Sequence, residues 1–120
     1  MINKKILICD DDQGILDMME LILEDAGFET ISEINSLNVY KLIEAEQPDL
    51  LLLDLWMPVL SGDQILRLLK HNTKTTDIPV IVISASIEGK SIAEEAGAND
   101  FLAKPFDINE LISKVQGLLN

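Results

Sequence analysis

Several side chains that could take part in phosphoryl or metal chemistry directly follow short apolar runs in this sequence. They are Asp10, Asp11, Asp12, Asp54, Ser84 and Lys104. Two carboxylates about 4 Å apart repel each other by roughly 4 kcal/mol at an effective dielectric constant of about 20, so a cluster of them needs a cation. Oxygen ligands without histidine or cysteine favour Mg²⁺ over zinc or copper. We therefore predict Mg²⁺ as the cofactor of these residues.

The remaining groups match the needs of phosphoryl transfer. Mg²⁺ commonly keeps water ligands and recruits phosphate oxygens, which lets an anionic substrate approach an acidic pocket. The Lys104 ammonium and the Ser84 hydroxyl would offer a positive charge and a hydrogen bond to the phosphoryl oxygens in the transition state. Asp54 is the predicted nucleophile, because an aspartate that attacks phosphorus forms an acyl phosphate.

Each of these side chains also has a simpler interpretation. Asp12 precedes an amphipathic segment and is predicted to be a helix N-cap rather than a metal ligand. Asp10 and Asp11 could serve the same helix start. The last three residues of the set could be, in chain order, a loop cap, a helix cap and a solvated charge. It is improbable that all of these side chains have only a structural role.

Five apolar runs of strand length occur along the chain, at residues 5–9, 28–31, 50–53, 80–83 and 101–103. The third and fourth are apolar throughout, which is the pattern of parallel strands buried on both faces. The segments between the runs carry apolar residues at helical spacing. Examples are Leu37, Tyr40 and Ile43, then Ile65, Leu68 and Leu69, and the final stripe of Ile108, Leu111, Ile112, Val115, Leu118 and Leu119. Gly27 and Gly97 lie where helices would end in a left-handed residue.

This alternation predicts an α/β fold of the flavodoxin-like, doubly wound (βα)₅ type. Its five-stranded parallel sheet would have the strand order 2-1-3-4-5. Ligand sites in such sheets lie at the carboxyl ends of the strands. Since the acidic, hydroxyl and lysine residues all follow predicted strands, we expect them to converge at this edge.

The length and composition are those of one globular domain, and we expect residues 1–120 to form it. The net charge of −12 argues against direct binding to nucleic acid or to an anionic membrane. The longest apolar run is far shorter than the about 20 residues that span a bilayer, and the first residues show no signal peptide. With Cys9 as the single cysteine, no internal disulfide can form. The resulting expectation is a cytoplasmic protein.

Five segments, in their order and spacing, resemble the receiver domains of two-component response regulators. They read KILICDDD at 5–12, PDLLLLDLWMP at 48–58, SG at 61–62, PVIVISA at 79–85 and GANDFLAKPF at 97–106. The resemblance covers nearly the whole chain, which is similar to the stand-alone chemotaxis regulator of that family. It implies a signalling switch that catalyses only its own phosphorylation and dephosphorylation.

The resemblance also implies a role for each site residue. Asp54 would be phosphorylated by a sensor histidine kinase or a histidine phosphotransfer protein. Lys104 would pair with the phosphoryl oxygens, and the Lys104–Pro105 bond is expected to be cis. Mg²⁺ would be held by Asp10, Asp11, Asp54 and the backbone carbonyl of Trp56.

Ser84 and Phe101 are the implied switch residues. Phosphorylation adds a charge of about −1.5 to −2 and would favour a state in which Ser84 moves inward and Phe101 rotates into the space. The surface of the fourth helix, fifth strand and fifth helix would then control an output protein or an attached effector domain, or form a phosphorylation-dependent homodimer. Phe101 stands where the family often has tyrosine, so only the steric part of the switch is expected.

Three other functions compete with this interpretation. Asp10 and Asp12 form an Asp-x-Asp pair suited to a haloacid-dehalogenase-like phosphatase, but no downstream carboxylate motif follows and no length remains for a cap. A flavodoxin would need hydroxyls and glycines after the first strand, where this chain has three aspartates. A non-phosphorylated interaction module is disfavoured because every acid needed for Mg²⁺ is present.

Overall fold

Strands and helices alternate regularly in the computed structural model, which describes residues 3–119. The strands are β1 Lys5–Cys9, β2 Glu29–Glu33, β3 Leu50–Asp54, β4 Val80–Ser84 and β5 Asp100–Ala103. The helices are α1 Gln13–Asp25, α2 Ser36–Glu46, α3 Gly62–Lys70, α4 Gly89–Ala96 and α5 Ile108–Leu119. The predicted (βα)₅ alternation is confirmed.

The strands form one parallel sheet in the order β2-β1-β3-β4-β5, as predicted for the flavodoxin-like fold. Successive residues of a strand point to opposite faces of the sheet, so each face has its own apolar core. The core that contains Leu7, Leu51 and Val82 is covered by α2, α3 and α4. The core that contains Ile8 and Leu52 is covered by α1 and α5. Because both faces are covered, β3 and β4 are buried along their whole length.

The second strand differs from its prediction. The sequence predicts it at residues 28–31, whereas β2 spans Glu29–Glu33. The difference arises because β2 is an edge strand that pairs only with β1, so polar residues are tolerated in it. Ser32 pairs in register with Ile8, and its hydroxyl donates a hydrogen bond to the Glu20 carboxylate of α1. An apolar run therefore does not mark where this strand ends.

In three helices, the apolar spacing predicts a wider buried face than the structure shows. Leu37, Leu68 and Ile108 are each more than half exposed, although each belongs to a predicted apolar stripe. In α5 the fully buried residues are Leu111 and Val115. A helix that packs on a sheet buries only the strip that faces the sheet, and this strip is narrower than the apolar set.

Helix ends and connections follow the predicted turn chemistry. Gly27 and Gly97, at the C-terminal ends of α1 and α4, have positive φ values of 96° and 100°. The Lys104–Pro105 bond after β5 is cis, as expected. Within residues 3–119, no helix is long and apolar enough to cross a membrane.

Candidate functional site

The sheet places four of the predicted site residues at neighbouring strand ends. Asp54 and Ser84 are the last residues of β3 and β4, and Asp10 and Lys104 directly follow β1 and β5. These four strands are consecutive neighbours in the sheet. Residues as far apart as Asp10 and Lys104, separated by 94 positions, therefore meet at one edge.

Three carboxylates form an acidic cluster at this edge. Asp10 and Asp54 are buried and Asp11 is exposed, and one carboxylate oxygen from each lies within 4.8 Å of the other two. Carboxylate oxygens are the hard donors that Mg²⁺ prefers. Because the Asp11 side of the cluster faces solvent, water or phosphate oxygens can reach it. The donor set of Asp10, Asp11 and Asp54 therefore fits a magnesium ion.

Lys104 offsets the charge of the buried part of this cluster. Its Nζ lies 2.8 Å from Asp10 Oδ2 and 3.4 Å from Asp54 Oδ1. Burial lowers the pKa of the Lys104 ammonium, but the hydrogen bond to Asp10 and the attraction of Asp54 outweigh burial and raise the pKa above 10.5. Lys104 is therefore positively charged at neutral pH.

The surroundings of Asp54 weaken its acidity. Burial and the negative charge of Asp10 raise the pKa of Asp54 from 3.8 to about 6, although Lys104 opposes this effect. The charge of Asp11 makes a smaller contribution to the same rise in pKa. Without a bound cation, the Asp54 carboxylate is therefore destabilised relative to its protonated form, and a cation at the cluster would relieve this.

Asp12 does not belong to the acidic cluster. Its side chain accepts hydrogen bonds from the backbone N–H groups of Gly14 and Ile15, so it is the N-cap of α1, as predicted. Its own N–H donates a hydrogen bond to Asp10 Oδ1 at 3.0 Å and so helps to orient that carboxylate. An Asp-x-Asp phosphatase needs both side chains at the substrate, so this capping role disfavours that alternative.

Ser84, Phe101 and Trp56 have three different environments near the cluster. Ser84 is buried, and its Oγ accepts a hydrogen bond from the Ser86 N–H at 3.0 Å. Phe101 is half-buried on β5 and packs against the core that α2, α3 and α4 cover. Trp56, two residues after Asp54, is 51% exposed. In the part of the chain that the structure describes, no hydrogen bond joins the Ser84 hydroxyl to the Asp54 carboxylate.

Two glycines shape this edge of the sheet, and the sequence interpretation assigned a role to neither. A Cβ atom on Gly62 would lie 2.4 Å from the backbone oxygen of Asp54. A Cβ atom on Gly89 would lie 2.8 Å from Ser84 Oγ and 3.2 Å from Phe101 Cε1. The Ser-Gly pair at 61–62 was a usable signal for the first glycine, whereas the close approach at Gly89 arises only from packing of α4.

The sequence matches a known protein family whose function fits this geometry. The family model of the response regulator receiver domain matches residues 6–116. The chain belongs to this family. Receiver domains are the phosphoacceptors of two-component signalling, so the phosphatase, flavodoxin and non-phosphorylated alternatives are not supported.

Curated relatives of this receiver domain include transcriptional regulators. It is 38% identical to the phosphate regulon transcriptional regulatory protein PhoB of Pseudomonas aeruginosa, over 99% of this chain and 53% of that protein. It is 37% identical to the DNA-binding dual master transcriptional regulator RpaA of Synechocystis sp., over 96% of this chain and 48% of that protein. The chain therefore spans about half the length of these relatives.

Solved receiver domains share the fold closely. The receiver domain of a Francisella response regulator superposes with a TM-score of 0.89 at 34% identity, covering 98% of this chain and 97% of that one. The receiver domain of a sensor histidine kinase from Pseudomonas aeruginosa gives a TM-score of 0.91 at 26% identity, with 98% of both chains covered. That structure holds a magnesium ion in its active-site cleft. Mg²⁺ binding is typical of the family.

Proposed function

We propose that Asp54 accepts the phosphoryl group, in a reaction that requires Mg²⁺ and the Lys104 ammonium. One observation supports this most strongly. Lys104 lies between the buried carboxylates of Asp10 and Asp54, and these form one acidic cluster with the exposed Asp11. The cluster thus combines a nucleophile, a set of metal ligands and a fixed positive charge.

The donor in this proposal is a phosphohistidine on a sensor kinase or a histidine phosphotransfer protein. An Asp54 carboxylate oxygen forms the new O–P bond as the P–N bond to the donor histidine breaks. The electron pair of that bond stays on the imidazole nitrogen, which is then protonated. Lys104 pairs with the phosphoryl oxygens, and Ser84 donates a hydrogen bond to one of them.

The metal ligands in this proposal are Asp10, Asp11, Asp54 and the backbone carbonyl of Trp56. When bound, Mg²⁺ would neutralise charge that develops on the phosphoryl oxygens. In the reverse direction, Asp10, Asp11 and the Trp56 carbonyl would still hold the metal while a water molecule attacks phosphorus. The O–P bond then breaks, the Asp54 carboxylate is restored and inorganic phosphate leaves. These two steps are the whole of the catalysis that we assign to the domain.

An apolar depression beside the cluster is the proposed contact face for the phosphodonor protein. Ile15 and Met18 of α1 line it together with Pro105 and Phe106, and it reaches Lys104. Met18 is 43% exposed. A protein bound on this face would have direct access to the acidic cluster, which is why we assign the face to the phosphodonor.

The output side in this proposal is the surface of α4, β5 and α5. Phe101 lines a depression there, together with Lys90 of α4 and Lys114 of α5. Inward movement of Ser84 would let Phe101 rotate and change this surface, which would bind an output protein, an attached effector domain or a second phosphorylated copy. We assign no direct nucleic-acid or membrane contact to this single acidic domain, and we place it in the cytoplasm.

Intact-protein mass spectrometry after incubation with acetyl phosphate and Mg²⁺ tests the proposal. We expect one phosphoryl adduct on the wild-type protein, none on Asp54→Asn and a reduced amount on Asp10→Asn. Removal of Mg²⁺ with EDTA should abolish the adduct. An adduct that persists in Asp54→Asn, and is lost only in Asp10→Asn, would contradict the proposal and favour the phosphatase alternative.

A further inference from the structure

Ser36 is a buried polar residue that none of the roles above explains. The buried polar side chains among residues 3–119 are Asp10, Ser36, Asp54, Thr75 and Ser84. Three of these belong to the site, and the Thr75 hydroxyl donates a hydrogen bond to the Leu69 carbonyl at the end of α3. Ser36, the first residue of α2, instead contacts the connection between β3 and α3, more than 20 residues away in sequence.

The Ser36 hydroxyl makes two hydrogen bonds to this connection. It donates to the carbonyl oxygen of Pro58 at 2.7 Å and accepts from the backbone N–H of Leu60 at 3.2 Å. The same Leu60 N–H also donates a hydrogen bond to the Pro58 carbonyl oxygen, at 2.8 Å. The serine hydroxyl therefore spans the two backbone groups that close a three-residue turn.

The central residue of that turn has a strained backbone. Val59 has a φ of 72°, in the left-handed region that β-branched side chains rarely adopt. A turn closed by a hydrogen bond between its first and third residues at this φ is rare and strained. Val59 is 80% exposed, so packing of its side chain does not compensate for the strain. Ser36 is the side chain that hydrogen-bonds to both ends of the turn, while Leu60 packs against the core that α2, α3 and α4 cover.

The strained turn belongs to the same connection as the proposed metal ligand Trp56. At the base of the connection, the Gly62 N–H donates to the Leu55 carbonyl at 2.8 Å. The α-carbon of Gly62 approaches the Asp54 backbone too closely for any larger residue. The connection is thus held at its base by Gly62 and at its tip by Ser36, and Trp56 lies between these two points.

We propose that Ser36 is a positioning residue for the metal site, because it holds the strained turn at Val59 and thereby the backbone of residues 55–58. The inference rests on the proposed Mg²⁺-dependent function. Without the Ser36 hydroxyl, the turn relaxes towards an unstrained conformation, and only part of the population keeps the Trp56 carbonyl in place. The apparent affinity for a ligand falls with the fraction of protein in the competent conformation.

Amide chemical shifts in two-dimensional NMR spectra, followed during a Mg²⁺ titration, give the dissociation constant for each variant. We expect Ser36→Ala to weaken Mg²⁺ binding by about 3- to 10-fold, the range for a net loss of one hydrogen bond, because the Leu60 N–H keeps its bond to the Pro58 carbonyl. Thr75→Val is the matched control, because it also removes a buried hydroxyl but lies in the connection to β4, at the opposite edge of the sheet. It should leave the affinity for Mg²⁺ unchanged.

Two further measurements separate positioning from a general loss of stability. In metal-free protein, the Leu60 amide should exchange with solvent faster in Ser36→Ala than in the wild type, while amides of β3 and β4 keep their protection. Adding Val59→Asn to Ser36→Ala should recover part of the Mg²⁺ affinity, because asparagine tolerates positive φ better than valine does.

The outcomes distinguish this inference from the proposed function. If the wild type binds Mg²⁺ and Ser36→Ala binds it equally well, the positioning role is wrong and the proposed function stands. If Thr75→Val weakens binding as much as Ser36→Ala, the effect is one of stability and the positioning role is again wrong. If the wild type does not bind Mg²⁺ at millimolar concentration, both the metal assignment and the inference are overturned.

Discussion

Replacement of Asp54 by asparagine should stabilise the metal-free protein at neutral pH, although it removes the residue proposed to be phosphorylated. The Asp54 side chain is only 6% exposed, and its carboxylate shares the Lys104 ammonium with Asp10. Lys104 lies nearer to Asp10, at 2.8 Å against 3.4 Å, so the Asp54 charge is the less well compensated one. Asparagine keeps the shape of the side chain and removes this charge.

The size of the effect follows from the pKa of Asp54. A rise of this pKa from 3.8 to about 6 corresponds to about 3 kcal/mol, at about 1.36 kcal/mol per pKa unit. The exposed side of the cluster lets solvent screen part of this energy. We therefore expect Asp54→Asn to raise the free energy of unfolding by about 1–2 kcal/mol at pH 8.

The effect should depend on pH with a defined sign. Because the folded-state pKa of Asp54 lies above its unfolded value, the folded protein binds the proton more tightly between pH 3.8 and about 6. The contribution of Asp54 to the stability of the wild type is therefore lost as the pH rises through this window, and the asparagine variant lacks this dependence. The gain from Asp54→Asn should be complete above about pH 7 and should shrink as the pH falls towards 4.

Urea unfolding of metal-free protein at pH 8 and pH 4.5 measures this difference. Asp107→Asn is the matched control, since Asp107 is exposed and its side chain accepts a backbone hydrogen bond from Asn109, which asparagine can also accept. It removes one negative charge without changing the buried cluster. Addition of Mg²⁺ should reverse the order at pH 8, because a ligand at 100 times its dissociation constant stabilises the wild type by about 2.7 kcal/mol.

Three results would refute this reasoning. The first is an Asp54→Asn variant that is no more stable than the wild type at pH 8. The second is an equal gain in Asp107→Asn, which would assign the effect to net charge alone. The third is a gain of the same size at pH 4.5, which would show that ionisation of the Asp54 carboxyl group is not its source.

Further predictions concern four other positions. Gly62→Ala should cost about 2–3 kcal/mol of unfolding free energy, because the new Cβ would meet the Asp54 backbone oxygen at 2.4 Å. Gly117→Ala, in open space on α5, should instead stabilise by about 0.5–1 kcal/mol, and urea unfolding compares the two. Cys9 should react with a thiol reagent only after unfolding, because its side chain is buried and its pKa is raised by burial and by the charge of Glu33. Rapid reaction in native buffer would contradict this. Asp12→Ala should cost about 1 kcal/mol by loss of the α1 cap, yet leave Mg²⁺ affinity unchanged in a titration.

The convergence of the predicted site residues could be foreseen because they lie at strand ends. Asp54, Ser84 and Lys104 each follow an apolar run, and parallel connectivity brings such positions together whatever the separation along the chain. The N-cap role of Asp12 was also predictable, because a cap acts within its own helix. The assigned roles in phosphorylation and metal binding stay predictions until the experiments above are done.

The sequence by itself determined the fold class, the strand order and the edge of the sheet where the site lies. These properties follow from local periodicity and from the few arrangements that βα units allow. Only the tertiary structure decided that the Lys104 ammonium lies nearer to Asp10 than to Asp54 and that the pKa of Asp54 is raised. It also decided the extent of β2 and the contact of Ser36 with the turn at Val59. The physical reason is that such contacts depend on distances of a few ångströms between segments far apart in the chain, which residue type and spacing do not specify.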